Sequence, residues 1–355
     1  MSAPDFAILG EQRVGSRDEL TDLLRDTPAP AVRVCGKGSS FDRLPAPRRP
    51  PLLVRLAAMQ RIDRLDPADL TCSVEPGLER QVLDGELERH GLVLPTPGDG
   101  TVGGLLARGE HRPLAPGASC ARHVVLGLEG VLSDGTQFKV GARVVKSVAG
   151  FDVHRAFVGS RGRLLIATLL HLRLRPAPRA SLTFAQGPRP LDAALALFRD
   201  LRLLAAPPTS LVLHRHDDGT WGVVGRVEGA PAQVRSVRRR FGLDPTDAPA
   251  TFGPVPAHGR ELVDGVVQPS ALHRLLAGLP SDAPVHVSGT GQFLTALRPA
   301  ESDALLARLP SLPGGAGEIR CGSAARRGLA SAGDPATSQL EDAVRLALDP
   351  RGLLQ

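Results

Sequence analysis

The hydrophobic positions of this chain follow two periods, every second residue in some segments and every three to four in others, which predicts both strands and helices. Residues 17–26 predict a short amphipathic helix with Leu20, Leu23 and Leu24 on its apolar face. Ser16 is expected to cap this helix, because its hydroxyl can accept a hydrogen bond from a free backbone N–H of the first turn.

A second helix is predicted over residues 79–91. Gly91 closes it, since glycine adopts the left-handed conformation that commonly ends a helix. Val82, Leu83 and Leu87 are expected to face inward, with the charged residues of the segment facing solvent.

Two hairpins are predicted where an Asp-Gly turn joins alternating segments, at Asp134-Gly135 and at Asp218-Gly219. Ser302 is expected to cap the helix of residues 301–310. Further strands are predicted within residues 31–35, 51–59, 69–77, 164–178 and 283–297, and further helices within residues 191–204, 230–242, 301–310 and 337–355. The pattern changes near residues 176–180, which predicts a domain boundary there.

The length and composition are those of a soluble protein of two domains, or of one large domain with an insertion. The chain has 355 residues, 42% of them hydrophobic, but no run of roughly 18 apolar residues that would form a membrane-spanning helix. Its amino-terminal residues do not resemble a secretory signal, so we expect a cytoplasmic location.

The cysteines and the charge exclude two further classes of function. Cys35, Cys72, Cys120 and Cys321 form no closely spaced pair, which argues against an iron–sulfur cluster or a zinc site in this chain. The net charge of +6 would suit nucleic acid, but the arginines are dispersed, tyrosine is absent and aromatic residues make up 3%. We therefore expect neither a bound metal nor nucleic-acid binding.

Four glycine-rich segments stand next to predicted strands. They are Gly36–Ser40, Gly98–Gly104, Val148–Asp152 and Gly159–Gly162. Exposed backbone N–H groups in such turns bind anions such as a diphosphate, so the four segments predict one extended ligand crossed by several loops.

Neither common nucleotide fingerprint is present. The chain has no GxxxxGK followed by Ser or Thr, and after Gly36 and Gly38 the third glycine of GxGxxG is replaced by Phe41. A P-loop ATPase and a Rossmann dehydrogenase are both disfavoured.

Five segments together resemble the flavoprotein family of vanillyl-alcohol oxidase, with the PCMH-type FAD-binding domain. They are VRVCGKGSS (residues 32–40), GDGTVGGLLARG (98–109), ARHVVLGLEGVLSDGTQFKVG (121–141), VVKSVAGFDVHRAFVGSRGRLLIAT (144–168) and ALDPRGLLQ (347–355). The fourth is the most specific, and its Lys146, Ala149, Gly150 and Asp152 resemble the glycolate and lactate oxidase branches. The FAD-binding subunit of glycolate oxidase also ends in a segment like the fifth.

The resemblance implies an α+β fold, in which two α+β subdomains form the FAD-binding domain of residues 1–178. A smaller α+β cap domain would follow at residues 179–320, and a C-terminal segment, residues 321–355, would bring a helix back onto the FAD domain.

The resemblance also implies non-covalent FAD and a set of contact residues. Gly36, Lys37, Gly38, Ser39 and Ser40 would wrap the diphosphate, and Lys146 would pair with a phosphate or carboxylate. The flavin and ribityl side would be lined by Gly98, Thr101, Val102, Gly103, Gly104 and Gly109, and the adenosine side by Gly159, Ser160, Gly162 and Ile166.

The implied function is a redox subunit of a glycolate oxidase-like complex, which oxidises a 2-hydroxy acid such as glycolate to glyoxylate. Its partners would be a homologous FAD-containing catalytic subunit and an iron–sulfur subunit. Peripheral association with a membrane would be compatible with this arrangement, through contacts that the partners make. No residue stands out as the catalytic base. The alternative is a flavin-poor subunit that scaffolds or regulates a catalytic paralogue; His123, Leu165 and Phe293, which differ from the family pattern, favour it.

Three histidines are a separate candidate site. His214 and His216 project from the same face of one predicted strand, and this pair suits either a metal ion or a catalytic base. A solvated or inter-domain face is the favoured interpretation, because no third ligand is evident beside them. His286 is interpreted as a half-buried strand residue.

Overall fold

The computed structural model describes residues 6–38, 45–96, 98–109, 117, 119–143, 152–247, 259–323, 326–328, 330 and 335–355. The strands, in chain order β1 to β18, are Gly10–Arg13, Val32–Cys35, Leu52–Arg55, Ile62–Asp66, Thr71–Val74, Leu92–Val93, Val125–Val131, Gln137–Gly141, Ile166–Arg173, Arg175–Pro176, Ala180–Arg189, Ser210–Arg215, Trp221–Gly229, Asp244–Pro245, Glu261–Val266, Val285–Ser288, Gln292–Leu297 and Ala316–Cys321. The α-helices, α1 to α10, are Arg17–Asp26, Arg80–Arg89, Val102–Arg108, Ala121–Val124, His154–Phe157, Leu191–Arg202, Pro231–Phe241, Leu272–Ala277, Pro299–Arg308 and Pro335–Leu348.

The first subdomain is a parallel sheet of three strands in the order β1-β3-β2, packed against α1. Ser16 caps α1 as predicted, since its Oγ accepts a hydrogen bond from the Glu19 N–H at 3.2 Å. Leu20 and Leu24 are fully buried from the same face of the helix. The apolar period of the sequence therefore directs α1 onto the sheet.

The second subdomain is an antiparallel sheet of five strands in the order β4-β5-β9-β7-β8, and α2 and α3 contribute to its core. β7 and β8 form the predicted hairpin at Asp134-Gly135. In α2, Leu83 and Leu87 are fully buried, one turn apart on the core face. Val82 is 56% exposed, so the expectation that it faces inward was wrong; it lies about 100° around the helix from Leu83.

The third unit contains helices and an antiparallel sheet of eight strands in the order β14-β11-β13-β12-β16-β17-β15-β18. Alternate residues of its strands form one core with α6, α7, α8 and α9 on the same face. β12 and β13 form the predicted hairpin at Asp218-Gly219. Trp221, the only tryptophan of the chain, is buried in this core.

The predicted cap of the helix near residue 301 was wrong. The helix α9 begins at Pro299, after Arg298, whose backbone N–H donates to Glu301 Oε2 at 2.8 Å. Ser302 therefore lies within the helix, where it is fully buried and its Oγ donates to the Arg298 carbonyl. Proline in the first turn, which the helix tolerates at no cost in hydrogen bonds, marked the true start.

The C-terminal segment returns to the first subdomain. Leu354 forms a parallel bridge with Val32, and Leu353 and Leu354 are buried with α1 and the three-stranded sheet. Arg351 donates to the Leu24 carbonyl at 2.6 Å and to the Ser133 carbonyl at 3.1 Å. The last residues thus complete a core that the first residues of the chain begin.

These sheets and helices confirm the expected α+β fold class. The predicted domain boundaries stay predictions, and β18 crosses the one placed at residue 320. Within the described residues, none of the helices is both long and apolar enough to cross a bilayer.

Candidate functional site

A cleft lies between the three-stranded and the five-stranded sheets. Its walls come from the end of β2 and the following turn, from α3, and from the loop after α5. The residues that line it are Val34, Cys35, Gly36, Lys37, Gly38, Leu56, Pro76, Thr101, Gly103, Gly104, Leu106, Ala107, Arg108, Phe157, Ser160, Arg161, Gly162, Leu165 and Ala167. Its cavity volume is about 110 Å³, and the empty space that includes open solvent is about 950 Å³. An elongated ligand would therefore lie mostly along the open length.

The turn after β2 supplies backbone donors. Within the described residues, no acceptor is found for the backbone N–H groups of Gly36, Lys37 and Gly38. Gly38 has a φ of +75°, a conformation that side chains disfavour. A Cβ at Gly36 would lie 2.7 Å from Thr101 Oγ1, so only glycine lets this turn approach α3 so closely. Three successive amide donors in such a turn suit an anion.

The second glycine segment has a different structure from the predicted one. Of Gly98–Gly104, only the beginning is a loop, and Val102–Arg108 is helical. Thr101 caps this helix by accepting from the Gly104 N–H at 3.1 Å, and the Gly103 N–H donates to the Pro76 carbonyl at 2.7 Å. Because these N–H groups serve the protein itself, this segment forms a close-packed wall rather than an anion-binding turn.

The loop of residues 159–162 crosses the opposite side of the cleft. The Gly159 N–H donates to the Leu106 carbonyl at 2.8 Å and the Arg161 N–H to the Ala107 carbonyl at 2.9 Å, which fastens the loop to α3. Arg161 has a φ of +56°, which is uncommon for a residue with a side chain. A Cβ at Gly162 would lie 2.5 Å from Val34 Cγ1, so this loop also packs closely on β2.

Charged and titratable groups mark the mouth of the cleft. Lys37 Nζ lies 2.6 Å from Glu79 Oε2, so its ammonium is held beside a carboxylate across the cleft. Arg161 pairs with Glu318 of β18, which links the cleft to the eight-stranded sheet. Burial raises the pKa of the Cys35 thiol to about 11, so this wall residue is uncharged at neutral pH.

Half of the predicted contact residues line the cleft, and the others fall into two groups. Those in the walls are Gly36, Lys37, Gly38, Thr101, Gly103, Gly104, Ser160 and Gly162. Those that are described but absent from the walls are Gly98, Val102, Gly109, Gly159 and Ile166. Ser39, Ser40 and Lys146 lie outside the described residues.

The residues absent from the walls have structural roles. Val102 and Ile166 are each 1% exposed and belong to the hydrophobic cores of the two subdomains. Gly109 ends α3 with a φ of +49°, and its N–H donates to the Leu105 carbonyl. The sequence pattern predicted that these residues contact the cofactor, because it does not distinguish residues of the core from residues that line the cleft.

Several wall residues were not singled out from the sequence. Leu56 and Pro76 come from segments without glycine signals, and Phe157 packs beside Phe138 at 5.6 Å between ring centroids. Arg161 occupies the variable position of the GSRG segment, so nothing in the sequence predicted it as a contact residue. Local patterns do not show which apolar side chains a distant loop will face, which explains these omissions.

Two departures from the family pattern have different surroundings. Leu165 is 3% exposed and lines the cleft, and its Cδ1 lies over Gly130, where a Cβ would be only 2.2 Å away. Gly130 thus provides the space that the leucine occupies. His123 is exposed, with its Nδ1 3.6 Å from Cys120 Sγ, and does not line the cleft.

The three candidate histidines lie together on the other face of the eight-stranded sheet from the helices. The ring centroids of His214 and His216 are 4.6 Å apart, and those of His214 and His286 are 5.9 Å apart. Gly222 lies beneath them, since a Cβ there would be 2.5 Å from the His214 ring. Within the described residues, no group of three or more His, Cys, Asp or Glu side chains has an arrangement that would hold a metal ion.

A comparison with known families decides the nature of the cleft. Residues 12–141, which supply β2, its turn and α3, match the family described as FAD binding domain. The cleft therefore lies in a region that is similar to an FAD binding domain. FAD is the cofactor of this domain, and the flavoprotein resemblance found in the sequence is confirmed.

Curated relatives of the FAD binding domain include subunits of glycolate oxidase. The chain is 30% identical over 182 residues to glycolate oxidase subunit GlcE of Escherichia coli, which covers 50% of each protein. It is 30% identical over 220 residues to glycolate oxidase subunit GlcD of Bacillus subtilis, covering 59% of this chain and 46% of the relative. The mitochondrial D-lactate dehydrogenase [cytochrome] of Arabidopsis thaliana is 32% identical over 171 residues, 47% of this chain and 30% of the relative. The chain spans about half the length, or less, of these relatives.

A solved structure shares the fold over nearly the whole chain. Alkyldihydroxyacetonephosphate synthase superposes with a TM-score of 0.70 at 12% sequence identity, covering 96% of this chain and 74% of the other. The shared fold thus includes the eight-stranded sheet and the C-terminal segment as well as residues 12–141.

The cleft fits FAD in its donors and its shape. The three amide donors of residues 36–38 have no protein acceptor among the described residues, as expected of a turn whose acceptor is a ligand phosphate. The glycines at 36 and 162 keep the cleft floor free of side chains, whose Cβ atoms would collide with Thr101 and Val34. Apolar residues, including Leu106, Phe157 and Ala167, line its interior, as suits a flavin ring.

Proposed function

We propose that this chain is an FAD-dependent redox subunit that oxidises a 2-hydroxy acid, glycolate to glyoxylate in the leading case. The observation that carries the proposal is the similarity to two glycolate oxidase subunits, over half of the chain or more, in a protein whose FAD binding domain has an intact cleft. The similarity to a D-lactate dehydrogenase supports the wider class of 2-hydroxy acids.

In this proposal the diphosphate of FAD is held by the turn of Gly36, Lys37 and Gly38, extended by Ser39 and Ser40. Thr101, Gly103 and Gly104 line the same cleft beside Ser160 and Gly162, and Lys146 pairs with an anionic group. When bound, FAD supplies the acceptor for the two electrons removed from the hydroxyl-bearing carbon. The protein orients the cofactor, and the buried side chains of Leu165 and Phe157 keep water from the interior of the cleft.

The proposal gives onward electron transfer to partner subunits. The names of GlcE and GlcD describe them as subunits, which supports a complex that contains a homologous FAD subunit. An iron–sulfur subunit would complete the path. We place the complex in the cytoplasm, with any contact with the membrane made through the partners.

One observation favours a second candidate, a scaffolding subunit that does not catalyse. Phe293 stands where the family resemblance expects an arginine, and it is fully buried in the core between the eight-stranded sheet and its helices. This position therefore offers no guanidinium for a substrate carboxylate.

The visible spectrum of the purified chain, before and after incubation with FAD and removal of excess cofactor, separates the two candidates. The redox proposal predicts a bound flavin band in the blue that is lost when glycolate or D-lactate is added without oxygen. A flavin that dithionite reduces but neither hydroxy acid reduces would contradict it. A chain that stays colourless after incubation would support the scaffold instead.

A further inference from the structure

A second cleft lies beside the FAD cleft. Val34 and Cys35 of β2 line the FAD cleft, whereas Arg33 of the same strand lines the second one. We call it the arginine cleft. Eight arginines line it, together with residues of two short segments and the C-terminus: Arg33, Arg48, Arg49, Arg161, Arg163, Arg327, Arg345, Arg351, Pro45, Ala46, Pro47, Gly328, Gly352, Leu354 and Gln355. Its cavity volume is about 370 Å³.

Protein contacts hold the walls of the arginine cleft in place. Arg33 donates to the Gln355 carbonyl and to the Pro45 carbonyl, each at 2.9 Å. The Gln355 side chain accepts from the backbone N–H groups of Arg48 at 2.8 Å and Arg49 at 3.3 Å. Three segments far apart in the sequence are thereby fixed around one space, so the cleft is a built feature of the fold.

The side chains that line this cleft are rich in cations. Among the described lining residues there is no Asp or Glu, and Arg161 pairs with Glu318, which lies outside the lining. Within the described chain, the guanidinium groups of Arg48, Arg49, Arg163 and Arg345 have no hydrogen-bond or ion-pair partner. Arg326, by contrast, contacts both Glu261 and Asp303.

The neighbouring positive charges affect the pKa of Arg163 in particular. Burial and the neighbouring guanidiniums of Arg345, Arg161 and Arg48 lower its pKa, while Glu341 acts weakly in the opposite sense. Arg48 and Arg49 are exposed, and Arg163 and Arg345 are half-buried. Mutual repulsion among these cations is relieved when a multivalent anion binds between them. The folded protein is therefore expected to bind such an anion favourably at this position.

We propose that the arginine cleft is a binding site for a diphosphate group, separate from the site of FAD. A guanidinium offers paired N–H donors that match two phosphate oxygens. A diphosphate carries about three negative charges, which is close to the four guanidiniums without partners. The ligand is either inorganic pyrophosphate or a nucleoside diphosphate, since both present the same group. This inference does not depend on the redox function.

Arg161 connects the two clefts. It lines both, and its backbone is fixed to α3 in the left-handed conformation. An occupant of the arginine cleft thus lies beside the loop that forms one wall of the FAD cleft.

The test is calorimetric titration of the full chain with inorganic pyrophosphate and with ADP, as purified and again after loading with FAD. The double variant R163Q/R345Q is expected to weaken the Kd for pyrophosphate at least about tenfold, because two charge-assisted contacts are lost. The matched control R235Q/R239Q removes the same charge from exposed positions on α7 and is expected to change the Kd less than about twofold.

Fluorescence of buried Trp221 checks that each variant is folded. ADP binding at least as tightly as pyrophosphate supports a nucleotide ligand, and pyrophosphate binding alone supports the inorganic one. No heat of binding, equal weakening in the control, or loss of pyrophosphate binding once FAD is loaded would overturn the proposal. In the last case the cleft would belong to the FAD site.

Discussion

At the scale of single residues, the FAD cleft depends on glycines, which have no Cβ atom to occupy the space between its walls. The Cα of Gly36 faces Thr101, and that of Gly162 faces Val34, at distances where a methyl group would collide. Gly103 is in the same position against Pro76, whose carbonyl also accepts its N–H. Each glycine allows one wall to approach another, so together they set the width of the cleft.

The variant G36A is expected to lower FAD affinity about tenfold or more, because the new methyl group would push the turn of residues 36–38 away from α3 and misplace its three N–H donors. Retention of flavin during gel filtration and titration of flavin fluorescence measure the effect. The matched control is G85A in α2, where an added Cβ meets nothing within 4 Å.

Replacing this helical glycine is expected to raise the free energy of unfolding by about 0.5–1 kcal/mol and to leave FAD binding unchanged. If G36A bound FAD as tightly as G85A, the turn would not be part of the site.

The sequence identified these glycines but not all of their roles. Spacing located Gly36, Gly103 and Gly162 correctly in the cleft, because a close approach between chain segments requires glycine whichever segments meet. It placed Val102 in the same group, although this valine packs in the core. An apolar residue beside a cofactor and one beside a leucine have the same local pattern, so only the tertiary structure separates them.

At the scale of secondary structure, strand pairing decides which histidines meet. β12 and β16 pair antiparallel with His214 opposite His286, and period two brings His216 to the same face as His214. Burial, with a contribution from His214, lowers the pKa of His286 to about 4. Burial and the neighbouring His216 also lower the pKa of His214.

These shifts predict that acid destabilises the protein. The ordinary pKa of histidine, 6.5, holds in the unfolded chain, which therefore binds protons more readily than the fold does. The free energy of unfolding should fall as the pH decreases from about 6.5 towards 4, and His286 alone contributes a loss of about 2 kcal/mol at pH 5. Urea unfolding followed by Trp221 fluorescence at pH 7.5 and pH 5 measures it.

Substitution of the histidine provides the control. H286Q is expected to reduce the difference in unfolding free energy between the two pH values, and H273Q, at an exposed position of α8, to leave it unchanged. Equal pH dependence in all three proteins would show that the histidine cluster titrates normally.

The sequence predicted most elements, and failed where side-chain capping was inferred from one residue alone. Ser16 caps α1, but Ser302 is buried inside α9, because Pro299 and Glu301 start that helix earlier. The segment after Gly98 was expected to be a turn because of its glycines, yet Thr101 starts a helix there. Glycine raises the cost of a helix by only about 1 kcal/mol, and tertiary packing against Pro76 outweighs it.

At the scale of the whole molecule, the family resemblance implied the fold, and the glycine segments by themselves predicted that several loops meet at one ligand. The arginine cleft was not predicted. Its walls come from residues 33, 45–49, 161–163, 327 and 345–355, and its arginines looked like part of a dispersed excess. Only the folded chain shows that eight of them converge.

The C-terminal residues are expected to stabilise the FAD binding domain from a distance. L354A should lower the free energy of unfolding by about 2–4 kcal/mol, because Leu354 is 3% exposed and its removal leaves a cavity beside β2. L346A, on α10, should change it by less than about 0.5 kcal/mol, since that leucine is 68% exposed. Chemical denaturation of both variants measures the difference, and similar losses would contradict the packing described here.

The bridge between Val32 and Leu354 has a consequence for biosynthesis. The strand that leads into the cofactor turn leaves the ribosome early, but its neighbour at residues 353–354 is added more than three hundred residues later. At ordinary translation rates this delay is on the order of 15–60 s. During that interval the nascent first subdomain exposes the apolar edge that Leu353 and Leu354 will cover, so cofactor capture would follow the synthesis of these two residues rather than precede it.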